Sequence, residues 1–222
     1  MVVIPARAGS QRILDKNNQK IGDKTLVDWA IACALTLFPK DRIVLVTDSK
    51  HSRASGKRYG IGVLDRPEEI SKPHSTTESV LEFVLENHNA ENCVLLQPTS
   101  PFRIRSDMQK CIDHFEKSRA RSVMSVTMPW HSPKDLYSLS ENDKGYFAPT
   151  RINVDQKDAY MFDTGAIYVF DAKLIKNKMP IIDPVYTETV EVNQMAFFDI
   201  DHQFHLDLAR AFFGLSGWDI NN

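Results

Sequence analysis

Three cations fall within ten residues around a single glycine: Arg7, Arg12 and Lys16, with Gly9 between the first two. The segment reads Ala6-Arg7-Ala8-Gly9-Ser10-Gln11-Arg12 and continues through Lys16 to Asn17. A glycine lets successive backbone N–H groups turn toward one anion. Cations placed around such a turn suit a triphosphate, which gathers negative charge during substitution at phosphorus. The spacing is not that of a Walker A loop, and no GxGxxG dinucleotide fingerprint occurs. The competing reading is a solvated turn with scattered surface charges. The apolar run Val2-Val3-Ile4 directly before the segment favours a site. It predicts a buried strand, and open α/β sheets place their ligands beyond the carboxyl ends of such strands.

The rest of the chain supplies a framework for that loop. Apolar residues at helical spacing predict a helix over 25–38, and Arg42 to Thr47 is β-branched and unbroken, as in a parallel strand. A polar helix over 50–60 and a short strand over 61–64 follow. A helix over 75–87 is expected, with Ser75 and Glu78 as a capping box. Strands over 93–96 and 122–126 flank a helix over 106–118. This alternation predicts an α/β fold with a mainly parallel sheet and helices on both faces. The rhythm breaks near Met128. Residues 129–160 hold prolines and turn signals and read as an antiparallel insertion. Ala166 to Phe170 resumes as a strand, 180–192 is extended, and a helix closes the chain over 204–215.

Bulk properties narrow the classes. The chain has 222 residues, the size of one large α/β domain, and a formal charge of −2, so no basic field points to nucleic acid. Cys33, Cys93 and Cys111 are far apart and lie in apolar runs, which predicts buried thiols rather than a metal site. No apolar run approaches membrane-spanning length. The expectation is a cytoplasmic protein without a membrane or nucleic-acid partner.

The opening loop resembles the signature of the CMP-sugar synthetases, the acylneuraminate cytidylyltransferases. It matches their pattern at Ala6, Arg7, Gly9, Ser10, Ile13, Lys16 and Asn17, and has Gln11 where a lysine is usual. Further matches follow in order: Thr47-Asp48, Arg66-Pro67-x-Glu69, Ser75-Thr76-Thr77, Leu95-Leu96-Gln97-Pro98-Thr99-Ser100-Pro101-Phe102-Arg103, Gly165-Ala166-Ile167-Tyr168 and Asp199-Ile200-Asp201. The resemblance implies a three-layer, Rossmann-like fold of the nucleotide-diphospho-sugar transferase type. It implies one cytidylyltransferase domain over 1–222, with 129–160 as a dimerisation segment anchored by Trp130, Tyr137, Tyr146 and Phe147. The implied reaction joins CTP to an acidic keto-sugar (a sialic acid or related nonulosonate) and releases pyrophosphate.

The resemblance also implies roles. Arg7 and Lys16 contact the triphosphate, with Ala6, Gly9, Ser10 and Asn17 around them, and Arg12 compensates for Gln11. Arg66, Thr76 and Thr77 belong to the nucleotide site, although the threonines can equally begin a helix. Gln97 serves the acceptor and catalysis, with Thr99, Ser100, Asp163 and Thr164 also on the sugar side. Sialate-activating members carry an arginine just before the position of Gly165, and here Arg151 or Lys157 is the candidate replacement, from this chain or a neighbouring subunit. Asp199 and Asp201 point the same way if the segment is extended, so both can face one Mg²⁺ or Mn²⁺. The plainer reading is an acidic turn with one aspartate capping the next helix. His202 and His205 read as surface residues, because a hard cation does not select imidazole. Two rivals remain: a glycosyltransferase using Asp199-Ile200-Asp201 as a DxD motif, and a non-catalytic nucleotide-binding homologue.

Overall fold

The structure, a computed structural model, describes residues 1–129, 137–141, 147–151 and 160–221. Its strands are β1 (Val2–Ala6), β2 (Lys20–Ile21), β3 (Lys24–Thr25), β4 (Ile43–Thr47), β5 (Gly62–Asp65), β6 (Asn92–Leu95), β7 (Ser122–Thr127), β8 (Tyr137–Glu141), β9 (Phe147–Arg151), β10 (Phe162–Asp171) and β11 (Thr187–Glu191). Its helices are α1 (Leu26–Leu35), α2 (Lys50–Tyr59), α3 (Thr77–Asn87), α4 (Arg105–Lys117), α5 (Ala172–Lys176) and α6 (Gln203–Ser216).

Seven of these strands form one sheet, in the order β11-β7-β10-β6-β1-β4-β5. All neighbours run parallel except β10, which is antiparallel to both β6 and β7. The chain steps outward from β1 through β4 to β5, then crosses back to place β6 on the other side of β1. The winding therefore reverses at β1, and a crevice opens where the loops after β1 and β6 diverge. Side chains alternate across β1: Val2, Ile4 and Ala6 pack with α1, α4 and α6, while Val3 packs with α3 and α5. Both faces are thus covered, as a mainly parallel sheet requires, and the expected three-layer α/β architecture is present.

Several local details differ from expectation. Helix α3 is capped by Thr76, whose side chain accepts from the Ser79 N–H; Ser75 instead closes a turn onto the Lys72 carbonyl. A capping box does occur, at α1, between Thr25 and Asp28. β10 begins at Phe162, four residues before the apolar run, because its polar start pairs with the end of β7. Helix α5 was not expected; its five residues are too few for periodicity to show. The hairpin β8–β9 pairs Tyr137 with Arg151 in antiparallel register. Trp130, Tyr146 and Lys157 lie outside the described residues, as do the side chains of Tyr137, Phe147 and Arg151. The three cysteines are buried and unpaired, as expected.

The small hairpin β2–β3 ends the opening loop and ties it to α6. Arg210 donates from Nε to the Lys20 carbonyl at 2.9 Å and from Nη2 to Gln19 Oε1 at 3.1 Å. The turn residue Gly22 has φ 61°, and a Cβ there would lie 2.2 Å from the Phe213 ring. Gly22→Ala therefore meets both left-handed strain and overpacking, and is expected to cost about 1–3 kcal/mol. A fall in the urea midpoint at unchanged m-value checks this; an unchanged midpoint contradicts the packing of the hairpin on α6.

Candidate active site

Six segments that frame the site reach the same edge of the sheet. Those after β1, β4, β5, β6 and β11 arrive there because these strands run parallel and end there. The start of β10 arrives because that strand runs the opposite way. Between the β1 and β6 loops lies a cavity of about 370 Å³, lined by Arg7, Ser10 to Ile13, Lys16, Asn17, Arg66, Ser75 to Thr77, Gln97 to Thr99 and Asp201. The sequence reasoning thus finds most of its nucleotide-side residues gathered around one space.

The loop is held from below by backbone contacts. Asn17 is buried and donates from Nδ2 to the Arg7 carbonyl at 3.0 Å, so its amide closes the loop rather than lining it freely. Ala8 N–H donates to Asp48 Oδ1 at 2.7 Å. The left-handed residue of the loop is Asp15, at φ 49°, whose carboxylate accepts from Asn18 Nδ2. Gly9 is not in the left-handed region, and a Cβ there would meet nothing within 4 Å. The turn expected at Gly9 is therefore not a conformational requirement; what glycine leaves there is open space beside the cavity.

The cations divide into two sets. Arg12 Nη1 and Lys16 Nζ each lie 3.0 Å from a different oxygen of Asp201. Desolvation opposes ionisation of Asp201, but Lys16 and Arg12 outweigh it and hold the carboxyl below its ordinary range. The clamp is thus intact at neutral pH and is lost as pH falls through that depressed value. Arg7 and Arg66 form the second set. Arg66 donates through Nε to the Ile70 carbonyl at 2.8 Å, with Nη2 on the same oxygen. Burial lowers the Arg66 pKa, Asp48 opposes that shift and Arg7 adds to it. Arg7 Nη1 is buried without a hydrogen-bond partner among the described residues. Arg7 also lines the cavity, and a buried guanidinium N–H without an acceptor is rare enough to mark this side chain as a candidate ligand contact.

Asp199 and Asp201 lie either side of buried Ile200, whose N–H donates to the Thr99 carbonyl at 2.8 Å. Asp199 keeps one side open to water, yet crowding on the other raises its pKa. A hydrogen bond with Thr99 opposes this shift, and Asp201 adds to it. The N-cap of α6 is His202, so neither aspartate caps that helix. His205 accepts the Asp201 N–H on Nδ1 at 3.2 Å.

The acceptor-side candidates separate. Gln97 and Thr99 line the cavity. Ser100 and Thr164 are buried and committed to the scaffold: Ser100 Oγ donates to the Thr164 carbonyl, and Thr164 Oγ1 bonds Ser125. Asp163 is exposed, and its carboxylate is fixed by the Tyr168 hydroxyl at 2.8 Å and the Gly165 N–H at 2.9 Å. Two participants lie in matched motifs but were given no role from sequence. Asp48 orients the loop and Arg66, and its place directly after a parallel strand was the available signal. Arg103 had no signal beyond its place in a motif, because nothing in sequence shows that an arginine is buried.

A cation-lined cavity at the reversal point of a mainly parallel sheet suits an anionic, phosphate-bearing ligand of an α/β protein. The cytidylyltransferase profile matches residues 1–212, and the chain belongs to that family. It is 29% identical over 213 residues to CMP-N,N'-diacetyllegionaminic acid synthase of Legionella pneumophila, covering 90% of each chain. It is 31% identical over 129 residues to the N-acylneuraminate cytidylyltransferase of Escherichia coli, covering 57% of this chain and 31% of that one. The chain thus spans about a third of the E. coli relative. The fold is that of a CMP:2-keto-3-deoxy-manno-octonic acid synthetase complexed with CTP, at TM-score 0.70 and 18% identity over 96% of this chain and 97% of that one. It is also that of 4-diphosphocytidyl-2C-methyl-D-erythritol synthase from Anaerococcus prevotii, at TM-score 0.67 and 16% identity over the same shares. Family membership leaves the glycosyltransferase reading of Asp199 and Asp201 without support.

Asp201 occupies two of the cations that line the cavity. Asp201→Asn releases them and removes a like charge from the cavity. In EDTA, calorimetry with inorganic tripolyphosphate is expected to show binding roughly three- to tenfold tighter in the variant, the scale of two exposed ion pairs. Equal or weaker binding contradicts the competition.

Proposed function

We propose that the protein transfers CMP from CTP to the anomeric hydroxyl of an acidic keto-sugar and releases pyrophosphate. The observation that carries this reading is the unpartnered Arg7 guanidinium in a cation-lined cavity, in a chain of the cytidylyltransferase family. The names of the Legionella and E. coli relatives support a nonulosonate as the acceptor.

In this reading the triphosphate lies along the opening loop. Arg7 and Lys16 take its oxygens, and Arg12 leaves Asp201 to join them. Ser10, Ala6 and Gly9 provide hydroxyl or backbone contacts and clearance. Arg66, Thr76 and Thr77 face the nucleoside, with the amino end of α3 directed at the cavity. The acceptor enters beside Gln97 and Thr99, with Asp163 toward its outer end, and Arg151 is assigned to the acceptor carboxylate. Ser100 and Thr164 act one step back, through the backbone they hold. As the sugar oxygen bonds to the α-phosphorus and releases its proton to water, the bond to the bridging oxygen breaks and its electron pair leaves with pyrophosphate. Gln97 has no basic group, so it orients the hydroxyl rather than deprotonating it. Holding the oxygen and phosphorus in line is the larger part of the work.

Asp199 and Asp201 suit Mg²⁺ or Mn²⁺: both are carboxylates, close enough to perturb each other, and such ions take one or two carboxylates plus substrate phosphates. Such an ion supplies charge neutralisation on the triphosphate. Residues 129–160 are assigned to a homodimer contact within a single catalytic unit spanning 1–222. No described helix is long and apolar enough to cross a membrane, and the proposal places the protein in the cytoplasm, where CTP is available.

Two measurements test this. Pyrophosphate release is expected with CTP and at least one nonulosonate, and not with UTP; release with UTP alone overturns the base assignment. Arg7→Met is expected to lower kcat/KM by roughly 100- to 1000-fold, the scale of losing one preorganised donor to developing charge. Its melting temperature is expected to be unchanged or raised, because the replaced N–H had no partner. Full activity in Arg7→Met excludes this residue from triphosphate binding.

A further inference from the structure

Arg103 heads the largest side chains removed from solvent, at 1% exposed. Its Nη1 donates to the Gln97 carbonyl at 2.6 Å and to the Ala166 carbonyl at 3.0 Å. Its Nε and Nη2 have no oxygen or nitrogen acceptor among the described residues, and the thiol of Cys33 is the remaining polar neighbour. Burial lowers its pKa to about 10, opposed only by the Cys33 thiol, so it remains a cation at neutral pH. Burial in turn raises Cys33 to about 11, which leaves that neighbour a neutral thiol. The nearby carboxylate of Asp107 accepts from Asn193 instead. A buried cation without a counter-charge costs several kcal/mol, and an apolar side chain of the same volume packs at lower cost. Packing alone therefore does not account for Arg103.

Its two acceptors do. β6 and β10 pair in register from Asp171–Asn92 to Tyr168–Leu95, and there the ladder stops. β10 then bulges between Tyr168 and Asp163, through Gly165 at φ 63°. The Gln97 and Ala166 carbonyls lie just beyond the last pair, where no strand partner remains for them. The guanidinium bridges this gap. On one side is the backbone of Gln97, whose side chain lines the cavity. On the other is the bulge, where a Cβ on Gly165 would stand 3.2 Å from Gln97 Oε1 and 3.6 Å from Ser100 Oγ.

We propose that Arg103 is a positioning residue for the acceptor: by bridging the Gln97 and Ala166 carbonyls beyond the end of the β6–β10 ladder, it sets the Gln97 carboxamide against Gly165. It thereby sets where the acceptor hydroxyl meets the α-phosphorus. The kinetic part of this inference rests on the transferase reading above; the structural part does not.

The test uses Arg103→Met, which keeps length and removes the donors, and Arg103→Lys, which retains one. The first readout needs no chemistry: the side-chain amide resonance of Gln97 in ¹⁵N-labelled protein, assigned by its loss in Gln97→Ala. It is expected to shift in Arg103→Met and to return part of the way in Arg103→Lys; an unchanged resonance overturns the inference. The second readout separates the substrates. CTP affinity is expected to stay within about twofold, while kcat/KM for the acceptor falls roughly ten- to hundredfold, the scale of a displacement of about 1 Å. Equal loss on both substrates, or none, overturns it. If Arg103→Met fails to fold, Gly165→Ala presses on Gln97 from the opposite side and is expected to show the same acceptor-selective loss; acceptor kinetics like the wild type's overturn the inference. A wild-type protein inert with every acidic sugar sinks the transferase reading, while the Gln97 resonance still decides the placement.

Discussion

Cations crowded at one edge of a sheet repel one another, and this chain holds them there by supplying carboxylates from distant parts of the sequence. Asp201, just before the last helix, spans Arg12 and Lys16 in the first loop. Asp48, after the second strand of the main sheet, faces Arg66 and anchors Ala8. Each carboxylate is a local counter-ion and also a tether, since it joins segments that the fold brings together at one edge. Arg7 is the exception: one of its N–H groups has no acceptor. In the proposed function, a ligand's charge completes the arrangement there.

The one antiparallel strand gives the cavity its second half. Were β10 parallel, its beginning would lie at the opposite edge, and Asp163 and Gly165 would be remote from Gln97. Running backwards between β6 and β7, it delivers its bulge to the edge where the other strands end. The cost falls on the β6–β10 ladder, which stops at Tyr168 and Leu95. A buried arginine takes over where strand pairing ends. Stability and site geometry therefore meet at Arg103, just beyond the end of the strand ladder.

Much of this was legible in the sequence, for identifiable reasons. Strands β1, β4 and β6 are mostly apolar runs, and α1 and α3 carry clear apolar spacing, so the parallel core could be read directly. Arg7, Lys16, Gln97 and Asp201 were legible because each sits next to a strand end or in an ordered motif. Direction was not: nothing in Ala166 to Phe170 distinguishes a parallel strand from an antiparallel one. Side-chain commitment was not legible either. Ser100 and Thr164 look like ligand-binding hydroxyls and are buried hydrogen-bond partners, while Asn17 both lines the cavity and closes the loop. The roles of Asp48 and Arg103 depend on partners distant in sequence, Ala8 and Ala166, which a single sequence does not pair.

The central claim is that the opening loop of a cytidylyltransferase-family chain grips a triphosphate through a guanidinium left without a partner. A crystal structure with a non-hydrolysable CTP analogue and Mg²⁺ tests it most directly. The account predicts phosphate oxygens within hydrogen-bond distance of Arg7 and Lys16, with Arg12 released from Asp201. A nucleotide bound elsewhere, or bound here with Arg7 still unpaired and the Asp201 clamp intact, contradicts it.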